Sequence, residues 1–191
     1  MSNKTSYNLN VKSTETIFSK FGKKLIHEKI KMKDDNVLDW YYLDTPDSVL
    51  IVPVTKEYKT ILVQQNKFNL KRYTQEFPAG GVDSKMNGNI LDAAKNELFE
   101  ETGYTSNKFI SLGKYYLLPS ETNRWVHIYL ALGVQKISEP VLDNQIEKYF
   151  DMSISEFSLN DLIKDPKLLD GLEHRFALNL TEKYLKEKKL I

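Results

Sequence analysis

The chain has 191 residues, 41% of them hydrophobic, with 27 Lys and Arg against 26 Asp and Glu and no cysteine. At about 100–200 residues per domain this is one domain with room for a small appendage. The missing cysteine excludes disulfide staples, thiolate nucleophiles and Cys-ligated metals, and a net charge of +1 argues against a dedicated nucleic-acid binder.

The first 15 residues are polar, lack the apolar core of a signal peptide and are expected to be loosely ordered. Residues 21–30 can hold a strand, Asp34-Asp35-Asn36 a turn and Val37 to Leu43 a returning strand, together a small antiparallel β appendage. Ser48 to Val54 and Lys59 to Gln65 are β-branched and apolar and read as successive strands. Arg72 to Phe77 is a shorter one. Further strands are expected at Phe109 to Leu118 and Trp125 to Val134, the second so apolar that it belongs in the middle of a sheet. No apolar stretch reaches the roughly 18 residues of a membrane span. The reading is a soluble, cytoplasmic protein.

Three helices are predicted. The first covers Ile90 to Thr102 and stops at Gly103. The second covers Ser155 to Lys164, with Ser153 and Glu156 as a capping box. The third runs from Asp170 to Lys188, with Leu172, Phe176, Leu180 and Tyr184 along one face. Strands around a mid-chain helix, with helices at the end, indicate an α+β or α/β/α sandwich.

The chemistry concentrates in Glu76-Phe77-Pro78-Ala79-Gly80-Gly81 and in the first helix. On that helix Glu97, Glu100 and Glu101 share one arc beside the apolar stripe of Leu91, Ala94 and Leu98. Like charges repel, the last helical turn disfavours anions, and Lys95 points elsewhere. Alone, E-x-x-E-E is better read as a solvated acidic face. The Gly-Gly pair leading from a strand toward this helix changes the balance, because it permits close backbone approach to a ligand. A hard divalent cation would account for the carboxylates.

Glu97-Leu98-Phe99-Glu100-Glu101-Thr102-Gly103-Tyr104 resembles the E-U-x-E-E-x-G-U part of the Nudix hydrolase signature, where U is a bulky apolar residue. Glu76 to Gly80, Val63 to Lys67, Pro119 and the stretch from Asp165 to Leu185 resemble features of the ADP-ribose pyrophosphatase branch. The resemblance implies a Nudix-fold α/β/α sandwich with a mixed β-sheet, spanning residues 47–191. It also implies a β appendage over residues 1–46 through which a homodimer forms. It implies Mg²⁺ or Mn²⁺ held by Ala79, Glu97, Glu100 and Glu101, with Glu100 assisting catalysis and Glu147 as general base or extra ligand, a role for which Glu121 competes.

Lys67, Arg72, Glu76, Trp40 and Glu121 are the substrate-binding candidates, with Tyr41, Tyr73 and Arg124 as further options. Each of these aromatic and acidic residues can equally serve packing or an exposed surface. The implied reaction is hydrolysis of a nucleoside diphosphate sugar, ADP-ribose foremost, with no nucleic-acid or membrane partner. Other nucleotide sugars, dinucleotides and a non-cleaving nucleotide sensor are the rival readings.

Three departures stand against the family pattern. Asn96 replaces the arginine of the signature. Gly88 replaces its first glutamate, after a loop two residues longer than the pattern. Gln145 stands between Asp143 and Glu147 where a carboxylate is expected. The three histidines, His27, His127 and His174, are dispersed, and His127 reads as a packed core residue.

Overall fold

The computed structural model describes residues 8–82, 89–141 and 147–191; for 147 and 148 it describes the backbone alone. Gly88, Asp143 and Gln145 lie outside the described residues. The chain divides into two compact units. The first runs to Pro46 and takes in Tyr116–Arg124; the second comprises Asp47–Tyr115 and Trp125–Ile191.

The first unit is built on a three-stranded antiparallel sheet in the order β1 (Asn10–Lys20), β2 (Lys23–Lys31), β3 (Val37–Asp44). β1 and β2 meet at a two-residue turn in which Phe21 and Gly22 both have positive φ, the geometry that follows strand twist in a tight hairpin. From Asn10 onward β1 corrects the expectation that the first 15 residues are loosely ordered; residues 1–7 lie outside the described residues. Its residues are mostly polar and all exposed, so composition marks it weakly, yet its backbone is paired along β2. The Tyr116–Arg124 loop is tied to β3, where Leu43 N–H donates to the Glu121 carbonyl at 2.8 Å and Asn123 Nδ2 to Asp44 at 2.7 Å. Within this unit Ile30, Trp40, Tyr42, Tyr116 and Pro119 help to line a cavity of about 570 Å³.

The second unit holds a seven-stranded mixed sheet. Its main path is β12 (Ser153–Ser158), β5 (Lys59–Lys67), β4 (Ser48–Val54), β10 (Trp125–Leu132), β9 (Lys108–Tyr116). β6 (Arg72–Glu76) also pairs with β5, and β7 (Ala79–Gly81) with β4. β4 runs parallel to β10 and antiparallel to β5 and β7. A two-stranded ribbon joins β8 (Tyr104–Thr105) to β11 (Gln135–Lys136). Every residue of β4 is buried, which requires cover on both faces of the sheet. Helix α1 (Ile90–Thr102) covers one face, where Val49, Ile51, Ile61 and Ala131 pack with Ala93, Ala94 and Leu98. Helix α3 (Leu172–Glu187) also packs on β4, so the expected α/β/α layering with a mixed sheet is present, and β10 is interior to the sheet.

Two helix expectations are corrected. Residues 153–158 form β12 rather than the start of a helix. Their backbone pairs with β5 from Ser153↔Gln64 to Ser158↔Lys59, and α2 (Leu159–Lys164) begins afterwards, capped by Ser158 instead of Ser153. On α3 the buried face is His174, Ala177, Leu178, Thr181 and Leu185, while Leu172 is 81% exposed. Spacing by four fits either stripe. The face turned inward carries the leucines Leu178 and Leu185 with Ala177, and His174 on it reaches the Phe77 amide. Among the described residues no helix is long and apolar enough to cross a membrane.

Candidate active site

The local sequence builds α1 as expected. The Asn89 side chain accepts the Leu91 and Asp92 N–H groups at the start, and Gly103, at φ 72°, ends the helix with its N–H on the Phe99 carbonyl. The helix end is held by the chain beyond β11. Ile137 N–H donates to the Gly103 carbonyl at 2.9 Å, and Val141 N–H to the Glu100 carbonyl at 2.8 Å. A side chain at 103 has no room, since a Cβ would lie 2.0 Å from the Ser138 carbonyl oxygen.

β6 leads through Phe77 and Pro78 into β7, whose pairing to β4 runs from Ser48↔Gly81 to Leu50↔Ala79. Ile51 N–H to the Pro78 carbonyl and Val82 N–H to the Asp47 carbonyl fasten the two ends of the segment. Two carboxylates of α1, one turn apart, address it. Glu101 Oε2 accepts the Ala79 N–H at 3.0 Å. The Glu97 carboxylate lies against Gly80, where a Cβ would come within 2.3 Å of all three carboxyl atoms. Glu97, Glu100 and Glu101 are all half-buried, no basic residue stands in the last turn of α1, and Lys95 turns to Asp92 at 3.2 Å. Asn96 lies on the exposed side.

Among the described residues no three Asp, Glu or His side chains form a ready-made metal cage. The donor set nonetheless fits a hard divalent cation. It offers half-buried carboxylate oxygens beside main chain that the absence of a Cβ leaves approachable.

The remaining candidates fall into distinct places. Lys67 Nζ and Glu76 Oε2 form a 2.9 Å ion pair, so two residues singled out separately act as one group. Glu76 also accepts from Thr74 Oγ1 at 2.7 Å and Gln65 Nε2 at 3.2 Å. Arg72 pairs with Asp170, and Tyr73 donates to Asp151 at 2.6 Å. Trp40 and Glu121 belong to the first unit, Trp40 on the wall of its cavity and Glu121 exposed on its loop. Tyr41 stacks on His27 at 4.5 Å, and Arg124 Nε donates to the Pro46 carbonyl at 3.1 Å. Glu147 opens a 3₁₀ turn, Glu147–Phe150. His127 is half-buried and meets Asp47 at 3.1 Å, so it is not a purely packed histidine.

Two features carried no signal in the sequence. His174 and Asp170, at the start of α3, bind the backbone of Phe77 and Gln75, partners more than ninety residues away. Tyr104, the last residue of the signature, donates to Glu156 at 2.7 Å. Burial and this bond push its hydroxyl up to about 12. Glu156, bonded by Tyr104 and Lys59, is held below the usual carboxylate range.

Comparison with known proteins bears on the family and the fold. The sequence profile described as "NUDIX domain" matches residues 44–174. The chain is 28% identical over 150 residues to an ADP-ribose pyrophosphatase of Bacillus subtilis (strain 168), covering 78% of each chain. It is also 28% identical over 123 residues to a methanol dehydrogenase activator of Bacillus methanolicus, covering 64% of this chain and 65% of that one. A crystal structure of an ADP compounds hydrolase superposes with a TM-score of 0.79 at 20% identity, over 98% of this chain and all of that one, which establishes the shared fold.

Proposed function

The chain belongs to the NUDIX family and is a pyrophosphohydrolase, and from that premise we propose that it hydrolyses ADP-ribose to AMP and ribose 5-phosphate with Mg²⁺ or Mn²⁺. The observation that carries this reading is the apposition of Glu97 to Gly80 and of Glu101 to the Ala79 amide. It holds two carboxylates of one helix against one three-residue strand.

In this reading Glu97, Glu101 and the Ala79 carbonyl hold the cation, with Glu100 assisting from the same turn. A divalent ion held by these residues would supply Lewis-acid polarisation of phosphoryl oxygen and activation of water. Glu147 takes the proton of the attacking water, with Glu121 as the competing acid. Lys67 presents a positive charge to phosphate while Glu76 orients it, and Arg72 adds a second cation. Trp40 offers an aromatic face to a base. The protein works in the cytoplasm as a homodimer joined through the β1–β3 sheet, without nucleic-acid or membrane partners. Light scattering behind size exclusion rejects the dimer if only the 22.2 kDa species of one chain appears.

The test is a panel of nucleotide sugars and dinucleotides incubated with Mg²⁺ or Mn²⁺, with products resolved by chromatography, beside a Glu101→Gln variant. ADP-ribose is the expected preferred substrate, with turnover lost in the variant. Preference for another member changes the substrate and keeps the chemistry. Asn96 in place of the signature arginine favours a second reading, a nucleotide sensor. Binding without turnover across the panel would establish it.

A further inference from the structure

His174, in the first turn of α3, is 4% exposed and plays no part in the chemistry above. Its Nδ1 lies 3.1 Å from the Phe77 amide nitrogen. An amide N–H can only donate, so Nδ1 is the acceptor and the neutral ring carries its proton on Nε2. Nε2 faces Glu76 Oε2 at 3.7 Å and Glu173 Oε1 at 3.9 Å. Just before the helix, Gln75 N–H donates to Asp170 Oδ2 and Asp170 N–H donates back to the Gln75 carbonyl, both at 2.9 Å. Residues 170–174 thus hold Gln75 and Phe77, alternate residues of one extended segment. Two residues beyond Phe77 comes Ala79, whose amide meets Glu101, and then Gly80 under Glu97.

We propose that His174 is a positioning residue of the hydrolase: as the Nε2-protonated tautomer it holds the Phe77 amide and so sets where Ala79 and Gly80 meet the carboxylates of α1. A plain core histidine would be interchangeable with an apolar ring. Here such a ring would leave a buried amide without an acceptor at the entry to the metal-binding strand. Burial lowers the His174 pKa, opposed by Glu76, Glu173 and Asp170 and aided by Lys67, and this supports a ring that stays neutral in the folded protein. The inference rests on the hydrolase reading, and outer residues that orient ligands typically matter by about 10–100-fold in metal affinity or activity.

The test compares three variants with the wild-type chain. His174→Asn places an amide oxygen near the Nδ1 position and keeps the acceptor. His174→Gln places its amide near Nε2 and leaves Phe77 unserved, and His174→Leu removes both. Expected are kcat losses of about 10–100-fold in the Gln and Leu variants, with KM for the nucleotide substrate little changed, and most of kcat kept by Asn. Mn²⁺ titrations followed by electron paramagnetic resonance, without substrate, are expected to show weakened binding in the same two variants. Long-range ¹⁵N–¹H spectra of the wild-type imidazole are expected to show protonation at Nε2 alone.

A folded Gln variant with wild-type kcat and Mn²⁺ affinity overturns the proposal, as does an equal loss in Asn and Gln or an Nδ1-protonated ring. Should Gln and Leu fail to fold, the Asn variant and the wild-type tautomer still decide. An inactive wild type refutes the hydrolase reading instead, an outcome distinct from active enzyme with indifferent variants.

Discussion

The Glu97 carboxylate rests directly on Gly80: a Cβ added there would sit 2.1 Å from its carboxyl carbon. Gly81, the next residue, has nothing within 4 Å of the same construction. The pair separates crowding from backbone effects. Gly80→Ala must move Glu97, and a displacement of about 1 Å at a reacting centre can cost roughly 100-fold in rate. Gly81→Ala is expected to stay near wild type. Steady-state kinetics of the two variants, with circular dichroism to confirm folding, checks this; equal activities would refute the role given to the contact.

Glu101 both carries charge and accepts the Ala79 amide. Glu101→Gln keeps an acceptor and loses the charge; Glu101→Leu loses both. If the charge serves a cation worth about 4 kcal/mol in the transition state, both variants lose roughly a thousandfold in kcat. Only the Leu variant is expected to lose stability as well, by about 1–3 kcal/mol for the unserved amide. Urea denaturation of the three proteins would show the split, and comparable stabilities for Gln and Leu would remove the structural half of the argument.

Tyr104 contributes to the alkaline side of stability. Its hydroxyl titrates near 10 when unfolded and is pushed up to about 12 in the fold by burial and by Glu156. The folded state therefore holds a proton that the unfolded state releases, so the contribution is full below about 10 and is lost as pH rises toward 12. Tyr104→Phe is expected to flatten thermal midpoints over that window relative to wild type. Parallel slopes between pH 9 and 12 would count against it.

Gly103 ends α1 where no side chain fits. Its φ of 72° and the Ser138 carbonyl both oppose a Cβ. Gly103→Ala is expected to cost about 3 kcal/mol or more, strain and overlap together, and to reduce activity because Glu100 and Glu101 stand in the same turn. A denaturation midpoint within error of wild type would contradict the packing described for this corner.

Features carried by neighbouring residues were legible in the sequence alone. Helix α1 has its apolar spacing within thirteen residues and its terminal glycine directly after them, so its limits could be read directly. The carboxylate arc follows from helical geometry, and β4 and β10 from nearly all-apolar runs that suit strands inside a sheet. Tertiary structure alone decided whatever depends on a distant partner. β1 is a strand because β2 supplies its hydrogen bonds, and 153–158 is a strand because β5 does. α3 turns its His174, Leu178 and Leu185 stripe inward, where Phe77 offers an amide to the ring. Glu97 meets Gly80 across a sequence gap that no local pattern spans. Backbone hydrogen bonds and close contacts of this kind are satisfied by whichever atoms the folded chain brings within reach, and that choice is made only when the layers assemble.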